Sequence, residues 1–330
     1  MGVTRKLRWG ILGVAKINER IIPAFTEARY AELIAIASRT SEKAQRAASR
    51  WHIPRAYGSY EALLADREIE AVYIPLPNSL HAPWTIRAAQ AGKHVLCEKP
   101  LASHAEEARS MVAVCRQCGV ALMDGFFWPH HPRTARIREE IARGLIGEVR
   151  HVQGSFSFPL ELDPSNIRLQ PELAGGCVMD VGCYPVYGAL WVFGELPHRV
   201  FARAQYEFGV DLTMTGILEF GEGKTATFDC SFVWPFRQAL EIVGTRGRIR
   251  IPDMWLPPDP AVFFVETEDG YKAEIAVSGV NQIAAMLDNF SQAVLHQRPP
   301  EPSAENAVQV MQVLDALRES ARIGQPITVR

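Results

Sequence analysis

At 330 residues the chain is longer than one ordinary hydrophobic core, since single domains mostly run to about 100–200 residues, so two domains are expected. Its 48% hydrophobic and 22% charged residues are those of a globular protein, and a net charge of −2 leaves no basic footprint for nucleic acid or an anionic membrane. No apolar run reads as the ~18 residues a bilayer span needs, six cysteines are sparse for a disulfide scaffold, and the cytoplasm is the expected compartment.

The chain starts basic and then apolar, but the apolar part is too short for a signal peptide and is followed by polar Lys16, Asn18, Glu19 and Arg20. Leu7 to Leu12 predicts a buried strand. Lys16 to Ala28 predicts a helix with Ile17, Ile21, Ala24, Phe25 and Ala28 on one stripe. A strand over 33–37 and a helix over 41–51 follow, with Ser41 as its expected N-cap. Then come a strand over 71–74, a helix over 79–91, a strand over 94–97, a helix over 104–118 and a strand over 120–123. Strands this apolar, separated by helices, predict a parallel sheet covered on both faces. Ligands of such sheets bind beyond the carboxyl ends of the strands, which puts Gly13–Ile17, Pro75–Asn78 and Glu98–Pro100 on one rim.

Beyond residue 125 the texture changes. A helix over 133–143 leads to a half-buried strand over 148–158, then a polar loop and a helix ending near Phe193. Arg199 to Ile275 reads as successive antiparallel strands, and helices over 281–296 and 304–322 finish the chain. The expected fold is α/β: a Rossmann doubly wound parallel sheet over 1–125, then an α+β domain with a large, mostly antiparallel open sheet over 126–330.

Between the first strand and helix stands GILGVAKIN, Gly10 to Asn18. Gly13, Ala15 and Asn18 occupy the three glycine places of a dinucleotide fingerprint. Only the first glycine is kept. A tight turn at Gly13, a small residue at Ala15 and a helix N-terminus at Lys16 still suit a pyrophosphate. The second strand ends without the acid that usually holds a ribose 2′-hydroxyl. Ser38, Arg39 and Thr40 stand there instead, with Lys43 one turn on. A planar guanidinium suits a 2′-phosphate, so NADP is expected in preference to NAD. Two further patterns have bland readings: Cys115 and Cys118 as small residues on one helix face, and His130–His131 without a third ligand at metal spacing.

Three separated stretches carry a resemblance. They are AVYIPLPNSLHAPWTIRAAQAGKHVLCEKPLA at 71–102, RLQPELAGGCVMDVGCYPVYGALWVFG at 168–194 and EIVGTRGRIRIP at 241–252. In this order they resemble the Gfo/Idh/MocA oxidoreductase family over nearly the whole chain. Tyr184, where another branch has His, is similar to the branch of glucose–fructose oxidoreductases, NADP-dependent xylose dehydrogenases and dimeric dihydrodiol dehydrogenases.

The resemblance implies that Glu98, Lys99 and Pro100 lie beside the nicotinamide, with Lys99 on the reacting oxygen of the substrate and a cis Lys99–Pro100 peptide. It makes Tyr184 the general acid/base and Asp180 a substrate-orienting carboxylate. An ammonium stabilises alkoxide character at that oxygen and favours a neighbouring phenolate. Gly13, Val14, Ala15, Lys16 and Ile17 would hold the pyrophosphate. Pro75, Leu76, Pro77 and Asn78 would line the nicotinamide ribose, with Trp128 and His81 as further cofactor contacts, His81 equally as a residue that only seats its helix, and Arg168 is a candidate for substrate hydroxyls or equally a plain loop residue. At 124–132 the family's Tyr and Arg are replaced by Trp128 and Pro129.

The expected activity is NAD(P)-dependent hydride transfer at a CH–OH or C=O group of a sugar, polyol or cyclic diol. The alternatives are a regulator that binds NADP and sugar without turnover, and an NAD-dependent glycosidase. No metal is expected. The C-terminal sheet of the family usually serves as an oligomer face, which implies a homodimer or homotetramer.

Overall fold

The computed structural model describes residues 5–329. Met1 to Thr4, where the basic start begins, lie outside them. The chain separates into two units. One holds residues 1–130 with 281–308, and the other holds 131–280 with 309–330.

The first unit carries six strands: β1 (Leu7–Leu12), β2 (Ala31–Ala37), β3 (Arg55–Tyr57), β4 (Ala71–Ile74), β5 (His94–Cys97) and β6 (Leu122–Asp124). They lie in the order β3-β2-β1-β4-β5-β6, every neighbour parallel. Helices α1 (Asn18–Glu27), α2 (Ser41–Trp51), α3 (Tyr60–Ala65), α4 (His81–Gln90) and α5 (Ala105–Gln117) make the crossovers. The four strands β1, β2, β4 and β5 are almost wholly buried, as parallel strands between helical layers must be.

The expected boundary at 125 lies five residues short of the first crossing, and the return of 281–308 to this unit is a departure from the expected division. Its cause is Trp9. The fully buried indole needs an apolar neighbour and an acceptor for its N–H. Phe290, 5.2 Å away, and Ser291 Oγ, which accepts from Nε1 at 3.1 Å, come from a later helix, Gln282–Leu295. Asp288 on the same helix accepts the backbone N–H groups of Arg29 and Tyr30. Periodicity shows that this helix exists but not which sheet it covers.

In the second unit, helix α6 (Pro132–Ala142) leads to β7 (Val149–Ser157), and α7 (Cys183–Phe193) follows a loop. Strands β8 (Arg199–Glu207), β9 (Val210–Glu219), β10 (Thr225–Ser231), β11 (Arg237–Gly244), β12 (Gly247–Ile251), β13 (Ala261–Thr267) and β14 (Lys272–Val277) succeed one another. With the Gln282–Leu295 helix numbered α8, the chain ends in α9 (Ala304–Ile323) and β15 (Ile327–Thr328). Nine strands form one sheet in the order β14-β13-β12-β11-β7-β10-β9-β8-β15. Only β7 and β10 pair in parallel. Burial alternates along β10 and β13, so one face is covered and the other open.

Several sequence expectations shift. Thr40, not Ser41, caps α2, because Thr40 is still extended (φ −135°) and its hydroxyl accepts the Lys43 N–H at 3.3 Å. The short elements β3, α3 and β15 were not expected, being too brief to show a period. One segment, Pro171–Phe193, is long and apolar enough to cross a membrane by length and composition, contrary to the reading above. Of its most apolar 18 residues 78% are buried inside the protein, and α7 is apolar all round because it is a core helix.

Candidate active site

In the first unit the strand order reverses between β2 and β4 around β1, so a crevice opens at the carboxyl ends of β1 and β4. Gly13 follows β1 with φ +136°, a conformation that side chains avoid, and a Cβ there would stand 3.0 Å from Leu76 Cδ2. The turn therefore needs glycine both for its backbone and for the closeness of the loop after β4. Asn18, at the place of the third fingerprint glycine, donates its amide to the Gly13 carbonyl at 2.8 Å. Its Oδ1 is buried beside the turn with no hydrogen-bond partner, an acceptor that suits a ligand hydroxyl. No side chain caps the start of α1 at Ile17. These features fit a dinucleotide. Val14 and Ala15 also border a cleft of about 300 Å³ whose far side carries Lys43 and Arg46.

At the end of β2, Ser38 is buried while Arg39, Thr40 and Lys43 are exposed. The positive charge of Arg39 acts on Tyr60, whose phenol burial raises and Arg39 lowers. Tyr60 packs edge-on against Trp84 at 4.7 Å, which gives this rim an aromatic wall not foreseen from the sequence.

His81 does not offer itself to a ligand. It is fully buried, with Nδ1 2.9 Å from the Pro100 carbonyl and Nε2 2.8 Å from the Leu76 carbonyl. Burial lowers its pKa while the two carbonyls raise it; a neutral ring donates to one carbonyl, and only the charged ring donates to both. The ring is seated between the loop after β4 and the loop after β5, in keeping with the reading that it positions its helix. Trp128 is likewise fully buried.

Glu98 is buried at the end of β5. Its Oε1 accepts from the Tyr73 hydroxyl, and Oε2 accepts the Lys99 N–H at 3.2 Å. The carboxylate thus holds the backbone from which Lys99 projects, half-buried, at the sheet's carboxyl edge. The Lys99–Pro100 peptide is cis, as the resemblance implies. Asp124 lies opposite Cys97 in the β5–β6 register, and burial first, then the charge of Glu98, pushes its carboxyl up to about 7.

In the second unit the segment before α7 is a π-helical turn, Val178–Gly182, and not the start of a regular α-helix. Such turns are rare and concentrate at functional sites. Asp180 accepts from Arg168 Nε at 2.6 Å. The loop folds back to allow this, with the Gly176 N–H on the Arg168 carbonyl at 2.9 Å and the Gly175 N–H on the Gln170 carbonyl at 3.1 Å. Arg168 is therefore a partner of Asp180, an assignment left open by the sequence. Tyr184 is walled by Phe156 at 5.1 Å and Trp255 at 5.8 Å. The Trp255 indole is fastened to the Ser155 carbonyl at 2.9 Å.

His131 caps α6, its Nδ1 accepting the Arg133 N–H at 3.0 Å, while His130 Nδ1 lies 3.2 Å from the Asn289 amide. Among the described residues no three His, Cys, Asp or Glu side chains cluster as metal ligands. Tyr73, on Glu98, and Tyr60, on Trp84, carried no signal in the sequence, while Asn18 stood out there only as the third fingerprint position.

A six-stranded parallel sheet in this order, opening at its switch point onto a glycine turn, is that of a dinucleotide-binding oxidoreductase. Residues 7–126 match the model of the oxidoreductase family with an NAD-binding Rossmann fold, and residues 134–250 match the GFO/IDH/MocA C-terminal domain. The chain belongs to the Gfo/Idh/MocA oxidoreductase family. It is 40% identical to a D-xylose 1-dehydrogenase (NADP(+)) of Haloferax volcanii, over 97% of this chain and 99% of that protein. A crystal structure of a 3-ketoreductase from Actinomadura kijaniata with NADP and TDP-benzene superposes with a TM-score of 0.89 at 32% identity, covering 96% of this chain and 98% of the other. An aldose–aldose oxidoreductase from Caulobacter crescentus, complexed with glycerol, gives 0.91 at 30% identity, covering 98% of this chain and all of that one.

Proposed function

We propose that the chain is an NADP-dependent dehydrogenase or reductase acting at a CH–OH or C=O carbon of a sugar or related polyol. The observation that carries this reading is the His81 bridge. It lies between Leu76, which packs against the Gly13 turn, and Pro100 beside Lys99, 2.8 Å and 2.9 Å from their carbonyls, so the loops for pyrophosphate and reacting oxygen share one rim.

Bound NADP would supply the hydride acceptor or donor at its nicotinamide ring. Gly13, Val14, Ala15, Lys16 and Ile17 would hold its pyrophosphate, and Pro75, Leu76, Pro77 and Asn78 its nicotinamide ribose. Arg39 would face the 2′-phosphate with Ser38, Thr40 and Lys43 around it. The Lys99 ammonium stabilises negative charge on the reacting oxygen. Tyr184 takes the hydroxyl proton in oxidation and returns it in reduction. Asp180, held by Arg168, orients the neighbouring hydroxyls of the substrate. NAD serves as a weaker substitute, since it lacks the phosphate that Arg39 favours.

The test is nicotinamide absorbance with NADP⁺ and a panel of aldoses and polyols. Turnover that disappears in Lys99→Ala and in Tyr184→Phe supports the assignment. Tight NADPH binding with no turnover on any sugar would instead favour a regulator. Release of free sugar from an aryl glycoside without net NADPH formation would favour a glycosidase.

The open face of the nine-stranded sheet supports a homodimer or homotetramer. It exposes Ile217 among ion pairs such as Arg237–Asp229 (2.7 Å), a mixture suited to a polar interface. Sedimentation equilibrium decides the number. Six cysteines outside any disulfide among the described residues suit a reducing compartment such as the cytoplasm.

A further inference from the structure

The π-helical turn that carries Asp180 has no capping side chain of its own at Cys177. Its amino end is instead met by a carboxylate from a distant strand. Asp211, the second residue of β9, is buried, and its Oδ2 accepts the Val178 N–H at 2.7 Å and the Cys177 Sγ–H at 3.0 Å. A carboxylate at a helix start satisfies an otherwise unpaired N–H and faces the positive end of the helix dipole.

The fit around this carboxylate is close. Gly176 has φ +111°, and a Cβ there would stand 2.2 Å from Asp211 Oδ1, so this glycine is needed for both its backbone and its lack of a side chain. Gly176 also binds the next turn, because the Asp180 N–H donates to its carbonyl at 3.1 Å. Its own N–H holds the Arg168 carbonyl. One carboxylate therefore sits where three things begin: the π turn, the helix bearing Tyr184, and the loop bearing Arg168. Burial pushes the Cys177 thiol well up, so it stays a protonated donor.

We propose that Asp211 is a positioning residue for catalysis, which sets the helical phase of Asp180 and Tyr184 by capping their helix from β9. It touches neither substrate nor cofactor and acts through the Val178 N–H and Gly176. The inference rests on the roles proposed above for Asp180 and Tyr184.

The experiment compares Asp211→Ala and Asp211→Asn in the full chain. The Ala variant removes both acceptors, and a misplacement on the scale of an ångström lowers kcat/KM by about 100-fold. Its NADPH Kd, read by nicotinamide fluorescence, stays within about twofold of the parent, because the cofactor loops belong to the other unit. The Asn variant keeps an oxygen for the Val178 N–H and regains activity to within about tenfold. An Asp211→Ala enzyme that binds NADPH normally and keeps kcat/KM within about threefold overturns the proposal. So does equal loss of activity and NADPH binding in both variants, which would make Asp211 a scaffold residue only. A fluorotyrosine at position 184 gives a readout free of substrate. Its fluorine resonance shifts or broadens in Asp211→Ala and returns in Asp211→Asn, and an unchanged resonance overturns the proposal. This signal stands even if no sugar is turned over, so failure of the proposed activity and failure of the positioning role are told apart.

Discussion

The candidate residues of the two units are positioned by different means. In the first unit each group stands directly after a strand: Gly13 after β1, Pro75 after β4, Lys99 after β5. Parallel strands in register deliver their loops to one edge without further help. Side chains such as Asn18, His81 and Glu98 then tighten the turns over short distances. In the second unit the groups sit on a helix whose start is irregular. Their placement depends on a carboxylate thirty-odd residues away on β9 and on an arginine that folds back from a loop. A strand edge supplies position through the backbone, while a π turn has to be held by side chains. The first unit should therefore lose chemistry but not geometry when a group is removed, and the second should lose geometry as well.

The largest effect expected tests the first half of this contrast. Lys99→Ala removes the charge at the reacting oxygen and lowers kcat by about 10³-fold or more, on the order of 4 kcal/mol. NADPH affinity changes little, since Glu98 still holds the backbone N–H at position 99. Stopped-flow hydride transfer together with a binding titration reads both quantities. A parallel collapse of cofactor binding would contradict the rigidity assigned to this edge.

The next effect concerns stability and pH. The Asp124 carboxyl, pushed up to about 7 by burial and by Glu98, ionises more readily in the unfolded chain, near 3.8. Between these values the folded state binds the extra proton, so stability declines as pH rises from about 4 to about 7 and levels off above. The penalty above pH 7 is a few kcal/mol, at most on the order of 4, at ~1.4 kcal/mol per pKa unit. Asp124→Asn flattens that slope, and urea melts at pH 5 and pH 8 measure it. A slope unchanged in the variant would remove Asp124 as its source.

Third, Arg168→Ala leaves Asp180 without its partner. Hydrogen bonds to charged groups are worth about 1.5–3 kcal/mol, so kcat/KM falls by roughly 10- to 100-fold. If geometry in the second unit depends on side chains, Arg168→Lys recovers little, because an ammonium lacks the planar fork. Full recovery by Lys would mean that charge alone suffices. The smallest effect is on cofactor choice. Arg39→Ala costs about 1–2 kcal/mol toward NADP and leaves NAD untouched, a change of roughly 5- to 30-fold in the ratio of kcat/KM values.

The first unit was the more legible of the two in the sequence. Its strands and helices show their periods, Gly13 announces a turn, and Glu98-Lys99-Pro100 marks the end of a strand whose neighbours are equally apolar. In the second unit the sequence shows a helix from the GG segment to Phe193 and the spacing of Asp180 and Tyr184. The π turn within it has no period of its own, and nothing near residue 211 in sequence points to residue 178. Arg168 read equally well as a substrate contact or a loop residue, because its partner is chosen by a fold of the loop.

The sequence by itself determined the alternation of strand and helix, the rim of loops after β1, β4 and β5, and the family to which those motifs belong. These follow from local rules: apolar periodicity, the φ freedom of glycine, and the stiffness of proline. Only the tertiary structure decided that residues 281–308 cover the first sheet, that His81 and Trp128 are buried, and that Asp211 caps the helix of Tyr184. Each of these depends on which buried polar or apolar group finds its partner across tens or hundreds of residues. That pairing is set by the closing of the core and leaves no period in the chain.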